Sequence, residues 1–353
     1  MIWEGSVFSL LIALSFLLGC MRTEQIRTTG DLPVHHTPDG FRNLYQNSDR
    51  GFGGFLRWQL GLGPKETPPL PPEEVPPFKP AVTQPDLNRI NHPDPDQIQV
   101  TWIGHATFLV QTEGVNILTD PVFSDRCSPF PFGGIKRLVP PGLRLEELPR
   151  IHAVVISHDH YDHLDAPTID RLGNTVMYFV PLGLAPWFNK RKMENVAELD
   201  WWQSSAWKGI RFHSVPIQHF SGRNPFYRNR TLWSGWVIES QRGNIFFAGD
   251  TGYSPVFKEI GDRFKPIRVS IIPIGAYRPR WFIKPVHVDP PEAVMIHKDT
   301  LSERSIASHW GTFKMADERP GEPPLYLRKS LKEAGVGEEE FILMNVGETL
   351  SVR

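Results

Sequence analysis

Hydrophobic and polar positions divide the chain into stretches of distinct texture. Residues 7–18 are almost wholly apolar, and polar residues return after them. Residues 52–62, with Phe55, Leu56, Trp58 and Leu60, read as a short apolar helix that packs on a core or touches a membrane. Prolines crowd residues 64–95, including Pro68-Pro69, Pro71-Pro72 and Pro76-Pro77. Proline removes backbone donors and fixes φ, so this stretch is expected to be an extended connector draped over the domain. Beyond Asp96 the pattern turns β-rich. Runs at 97–110 and 115–118 flank Thr112-Glu113-Gly114, a hairpin signal. Short strands are expected at 151–156, 245–248, 270–274 and 305–308, with helices at 290–298 and 324–333. Interleaving of this kind over about 250 residues predicts an α/β sandwich as one domain. The expected division is a signal or anchor at 1–20, an extension with the connector at 21–96, and the main folded domain at 97–353.

Composition narrows the classes. The 353 residues are 40% hydrophobic and 22% charged, which suits a packed core rather than disorder. Lys and Arg number 38 against 39 Asp and Glu, and no dense basic run occurs, so no nucleic-acid partner is expected. Eleven Trp and 22 Phe are a surplus that serves a core or a lipid-facing surface. Cys20 and Cys127 are the only two cysteines, which excludes a disulfide framework and a thiolate metal cluster. The apolar run ends Leu17-Leu18-Gly19-Cys20, similar to a bacterial lipoprotein cleavage site. Its front, Met1-Ile2-Trp3-Glu4-Gly5, lacks the usual basic residue, and Arg22 and Arg27 follow the run instead. Membrane association through a lipidated Cys20 or an N-terminal anchor is the expectation.

The chemistry concentrates after the expected strand at 151–156, in Ser157-His158-Asp159-His160-Tyr161-Asp162-His163-Leu164-Asp165. Side chains at i and i+2 of an extended segment point the same way, so His158 and His160 can grip one ion. Asp162 and His163 fall on the turn beyond and can reach a second. Imidazole nitrogen and carboxylate oxygen are zinc ligands, so these four residues form half of a two-metal site. His219, Asp250 and His309 each follow an apolar strand run, where loops converge on one rim.

This segment, with the later His, Asp and His, resembles the metallo-β-lactamase superfamily. More narrowly, the chain is similar to the family of N-acyl-phosphatidylethanolamine-hydrolysing phospholipases D through most of residues 97–350. The likeness runs through Thr101-Trp102-Ile103-Gly104-His105-Ala106-Thr107, Leu118-Thr119-Asp120-Pro121, Glu198-Leu199-Asp200-Trp201-Trp202 and Phe246-Phe247-Ala248-Gly249-Asp250-Thr251-Gly252-Tyr253. It continues through Ile272-Pro273-Ile274-Gly275-Ala276-Tyr277, Pro279-Arg280-Trp281-Phe282 and His309-Trp310-Gly311-Thr312-Phe313. The resemblance implies an αββα four-layer sandwich holding two zinc ions per subunit. His158, His160 and His219 would hold one ion, Asp162, His163 and His309 the other, and Asp250 would bridge them. A water between the ions would ionise near neutral pH and attack a phosphodiester, releasing N-acylethanolamine and leaving phosphatidic acid.

Asp162, Asp250 and His287 are thus the expected catalytic residues, with Arg223 and Tyr161 as substrate contacts. His287 follows Val286, where the family often has Gln. Asp165 is expected to orient a ligand imidazole, and His105 to buttress its own strand. A phospholipid substrate and a membrane surface are the expected partners, and the resemblance suggests a homodimer. The alternatives are a hydrolase of the same fold acting on another phosphodiester or a lactone, and a lipoprotein that has lost catalysis. The last predicts a missing ligand, and all seven are present.

Overall fold

Alternation along each strand decides which layer a side chain joins. Phe108 and Val110 enter one apolar cluster while Leu109 between them enters another. Phe247 and Phe246 divide in the same way, as do Ile271 and Ile272. Such strands are buried on both faces, which requires helices outside two stacked sheets.

The computed structural model describes residues 32–45, 51–79, 81–130, 132–224 and 227–353. The apolar run at 7–18 and Cys20 lie outside the described residues. Of the two units into which the chain divides, Val34–Arg353 carries every element below. Fourteen strands build the two large sheets: β1 (Ile98–Gly104), β2 (Thr107–Thr112), β3 (Val115–Thr119), β4 (Ala153–Val155), β5 (Met177–Pro181), β6 (Val196–Leu199), β7 (Ser204–Trp207), β8 (Ile210–Val215), β9 (Gly235–Ser240), β10 (Gly243–Phe247), β11 (Ile267–Pro273), β12 (Ser305–Ser308), β13 (Phe341–Ile342) and β14 (Thr349–Val352). The first sheet runs β6-β5-β4-β3-β2-β1-β14 and the second β7-β8-β9-β10-β11-β12-β13. Strands β3 to β6 are parallel to one another, as are β10 to β13.

Between the sheets, Phe179 of β5 stacks on Phe212 of β8 at 3.8 Å between ring centroids. The helices are α1 (Gly51–Gln59), α2 (Leu87–Asn91), α3 (Ala166–Leu172), α4 (Ala185–Asn189), α5 (Val256–Phe264), α6 (Arg280–Ile283), α7 (Pro290–Asp299) and α8 (Glu322–Ala334). Helices α5, α7 and α8 cover the second sheet through Phe257, Ile260, Val294 and Leu327. Ile90 of α2, Ile169 of α3 and Phe188 of α4 cover the first. The result is the expected αββα sandwich.

The expected helix at 52–62 is α1, those at 290–298 and 324–333 are α7 and α8, and the four short strands are β4, β10, β11 and β12. The single run expected at 97–110 is two strands. Gly104 (φ 136°) and His105 (φ 56°) turn the chain between β1 and β2. The connector is held down as expected: the Glu66 carboxylate accepts from the backbone N–H groups of Arg280 and Trp281 at 2.8 and 2.7 Å. Among the described residues no helix is long and apolar enough to cross a membrane.

Candidate metal centre

Sheet pairing sends the C-terminal ends of β1, β3, β4, β8, β10 and β12 to one rim, and each end delivers a site residue. They are His105, Asp120, the His158–His163 segment, His219, Asp250 and His309 in that order. Gly249 permits a close approach to the ligand segment, because a Cβ there would lie 2.5 Å from that of Ser157. His105, Asp120 and His309 all have positive φ (56°, 33° and 59°), a cost for non-glycine residues that gathers at functional rims.

Three imidazoles form the first group. His160 Nδ1 is 2.8 Å from His158 Nε2 and 3.4 Å from His219 Nε2. In the second group, Asp162 Oδ2 lies 3.3 Å from His163 Nε2 and 3.4 Å from His309 Nε2. Asp250 stands between the groups. Its Oδ2 is 3.0 Å from His163 Nε2 and 4.0 Å from both His158 and His219 Nε2, while Oδ1 is 3.1 Å from His309 Nε2. The structure therefore brings all seven expected ligands together.

Neighbours fix the outer nitrogens of His158, His163 and His219. His163 Nδ1 meets Asp120 Oδ2 at 2.6 Å, and His219 Nδ1 meets the Val286 carbonyl at 2.9 Å. Ser157 Oγ donates to Asp120 Oδ2 (2.5 Å) and lies 2.9 Å from His158 Nδ1, so one carboxylate orients a ring in each group. Val286 acts here through its carbonyl, a contact that does not depend on its side chain.

Electrostatics separate the groups. Burial, with His163, His160 and His219 close by, holds His158 well below the ordinary imidazole range. Burial likewise lowers His160 to about 4 and His219 to about 3. Three neutral rings with free lone pairs are ready cation ligands. Burial also opposes charge on His163 and His309, but Asp250 and Asp162 outweigh it. His163 is held well above the usual value and His309 rises to about 9. Asp162 and Asp250 stay far below the carboxylate range, because His163 and its neighbours overcome their burial.

His163 Nε2, His309 Nε2 and Asp250 Oδ1 are buried without a hydrogen-bond partner in satisfactory geometry. Buried polar atoms left so require an explanation, and a cation among nitrogen and oxygen donors supplies one. The residues fit a metal.

The other expected residues fall as follows. His287 Nε2 is 3.8 Å from Asp250 Oδ2, and its side chain is 14% exposed against 3% or less for His158, His219, His309 and Asp250. It stands at the mouth, lowered to about 3 by burial. Tyr161 and Arg223 line a cavity of about 800 Å³ beside the segment, with Arg126, Lys136 and Trp187. Arg223 Nη1 also donates to the Asp159 and Leu164 carbonyls at 2.8 Å each, bracing the ligand loop. Asp165 does not orient an imidazole: its carboxylate accepts from Ser124 Oγ and Thr168 Oγ1 instead. Asp120 fills that role. His105 also differs from expectation, since its Nε2 meets Asp162 Oδ2 at 3.0 Å and so belongs to the centre.

A beta-lactamase superfamily domain model matches residues 115–310. The chain belongs to this superfamily. Within it, the chain is 42% identical over 268 residues to N-acyl-phosphatidylethanolamine-hydrolyzing phospholipase D 1 of Caenorhabditis elegans, covering 70% of this chain and 74% of that protein. It therefore groups with that branch of the superfamily. A metal-dependent hydrolase of Methanopyrus kandleri is 29% identical, with 71% of this chain and 99% of that one covered. Among solved structures, the metallo hydrolase Igni18 of Ignicoccus hospitalis shares the fold, with TM-score 0.56 and 22% identity over 73% of this chain and 99% of that one. Its named relatives are hydrolases, and the chain is a hydrolase of this superfamily whose rim gathers donors that fit a metal.

Proposed function

We propose that the chain takes two zinc ions and hydrolyses N-acyl-phosphatidylethanolamine to N-acylethanolamine and phosphatidic acid. The observation that carries this reading is the 42% identity to the nematode phospholipase across most of the hydrolase domain. Zinc suits a site of imidazoles and carboxylates without thiolate. His158, His160 and His219 would hold one ion, Asp162, His163 and His309 the other, with Asp250 shared. When bound, zinc supplies a water that ionises near neutral pH and positive charge for the phosphate.

The chain's own residues do the rest. His105 fixes the Asp162 oxygen, and Asp120 holds the His163 ring and, through Ser157, the His158 ring. Neutral His287 at the mouth can accept or pass a proton at Nε2. Tyr161 and Arg223 offer the adjoining cavity a phenol, a guanidinium and an aromatic face. On α1, Trp58 packs on Phe282 while Phe55 and Leu56 are 39% exposed, with Leu60 (67%) and Leu62 (64%) just beyond. Trp58 and Phe282 join the apolar cluster of Val286, beside His287, so this face suits a lipid surface at the mouth.

The test is hydrolysis of N-acylated against unmodified phosphatidylethanolamine, with and without chelator. Chelator-sensitive release of N-acylethanolamine is expected. Release from neither lipid, or release that a chelator leaves untouched, would refute the reading.

A further inference from the structure

His219 is a ligand on a loop, four residues past the end of β8, and a loop fixes its backbone poorly unless something outside it pairs. Its ring is set at Nδ1 by the Val286 carbonyl, but its own N–H and C=O need partners. Both go to one side chain, 176 residues earlier in sequence. Asn43 Nδ2 donates to the His219 carbonyl at 2.8 Å, and Asn43 Oδ1 accepts from the His219 N–H at 3.1 Å. A single amide thus reproduces the two-way pairing that a neighbouring strand would give. Trp233 Nε1 donates to the same Oδ1 at 3.0 Å, which settles the orientation of the amide.

Asn43 is itself held by the segment around it. His35 and His36 reach the Asp200 oxygens through their Nε2 atoms at 2.6 and 2.7 Å. Each Asp200 oxygen then has a ring nitrogen at hydrogen-bond distance, so this group reads as a latch. His35 lies 4.4 Å from the Trp201 ring centroid. The hairpin His36–Thr37 with Gly40–Phe41 follows, and Phe41 N–H donates to the Asn229 carbonyl at 2.8 Å. Gly40 has φ 154°, and a Cβ there would overlap that carbonyl, so only glycine lets the strap lie so close to the loop after His219.

We infer that Asn43 is a positioning residue for the metal ligand His219, supplied by a strap that precedes the superfamily match. The centre is then completed from outside the matched segment 115–310 that carries its ligands. The inference rests on reading His158, His160 and His219 as the ligands of one ion. Contacts that orient ligands are worth about 10–100-fold in metal affinity.

The test is zinc titration of the full metal-stripped chain against a chromophoric chelator, comparing wild type with Asn43→Ala. One of two zinc equivalents is expected to weaken by about tenfold or more, the other staying unchanged. His309→Ala should weaken the opposite equivalent and so tell the two apart. Hydrogen exchange at the His219 amide of the metal-free protein is expected to quicken in Asn43→Ala. Should that variant not fold, Asn43→Ser carries the same expectations. Unchanged affinities with unchanged exchange, or equal weakening of both equivalents, would overturn the inference. If wild type binds fewer than two zinc ions, the metal assignment falls, and the exchange measurement alone decides the role of Asn43.

Discussion

At the scale of residues, Asp120 touches no expected cation yet governs two of the proposed ligands, His163 directly and His158 through Ser157 Oγ. Asp120→Ala frees both rings to rotate and to take the other tautomer. Zinc affinity should fall about 10–100-fold while far-UV circular dichroism stays native. Unaltered affinity would remove Asp120 from the centre. The rule that singled out Asp250 and His309, a polar residue closing an apolar run, applies equally to Asp120 after β3 and His105 after β1. What the pattern does not carry is which ring nitrogen meets which oxygen. Asp165, inside the motif, therefore looks the better orienting group until the chain is folded and the carboxylate turns to Ser124 and Thr168.

At the scale of elements, strong periodicity was readable and short or strained pieces were not. Helices α7 and α8 sit within two residues of their expected ends, because Pro at their starts and a sustained apolar face mark them. The break between β1 and β2 is hidden because both strands mix apolar and polar residues alike and both are buried throughout. Strand β13 has two residues, too few for alternation to register. Helix α1 was legible as apolar, and Trp58 packs it beside Phe282 and Val286. Replacing Phe55 and Leu56 together with Ser should lower hydrolysis of lipid in vesicles several-fold and leave a detergent-dispersed substrate unaffected. Equal rates on vesicles would deny α1 a role at the membrane.

For the whole molecule, the centre links stability to pH once metal is stripped. His105, His158, His160, His219 and His287 are all held below the ordinary imidazole value by burial. Below about pH 6.5 the unfolded chain takes up protons that these native rings refuse, so stability falls on acidification. His163 and His309 work oppositely: their contribution is full below that pH and is lost as pH rises through about 9 for His309. Thermal midpoints of the metal-free protein should therefore peak near neutrality and decline on both sides. A midpoint that climbs steadily from pH 5 to 9 would contradict this. Six strand ends gather the residues proposed to hold two zinc ions, and anomalous scattering at the zinc edge tests that proposal. Crystals of the purified full chain should show two peaks flanking Asp250, one among His158, His160 and His219, the other among Asp162, His163 and His309. A single peak, or peaks away from these residues, would contradict a two-zinc centre at this rim.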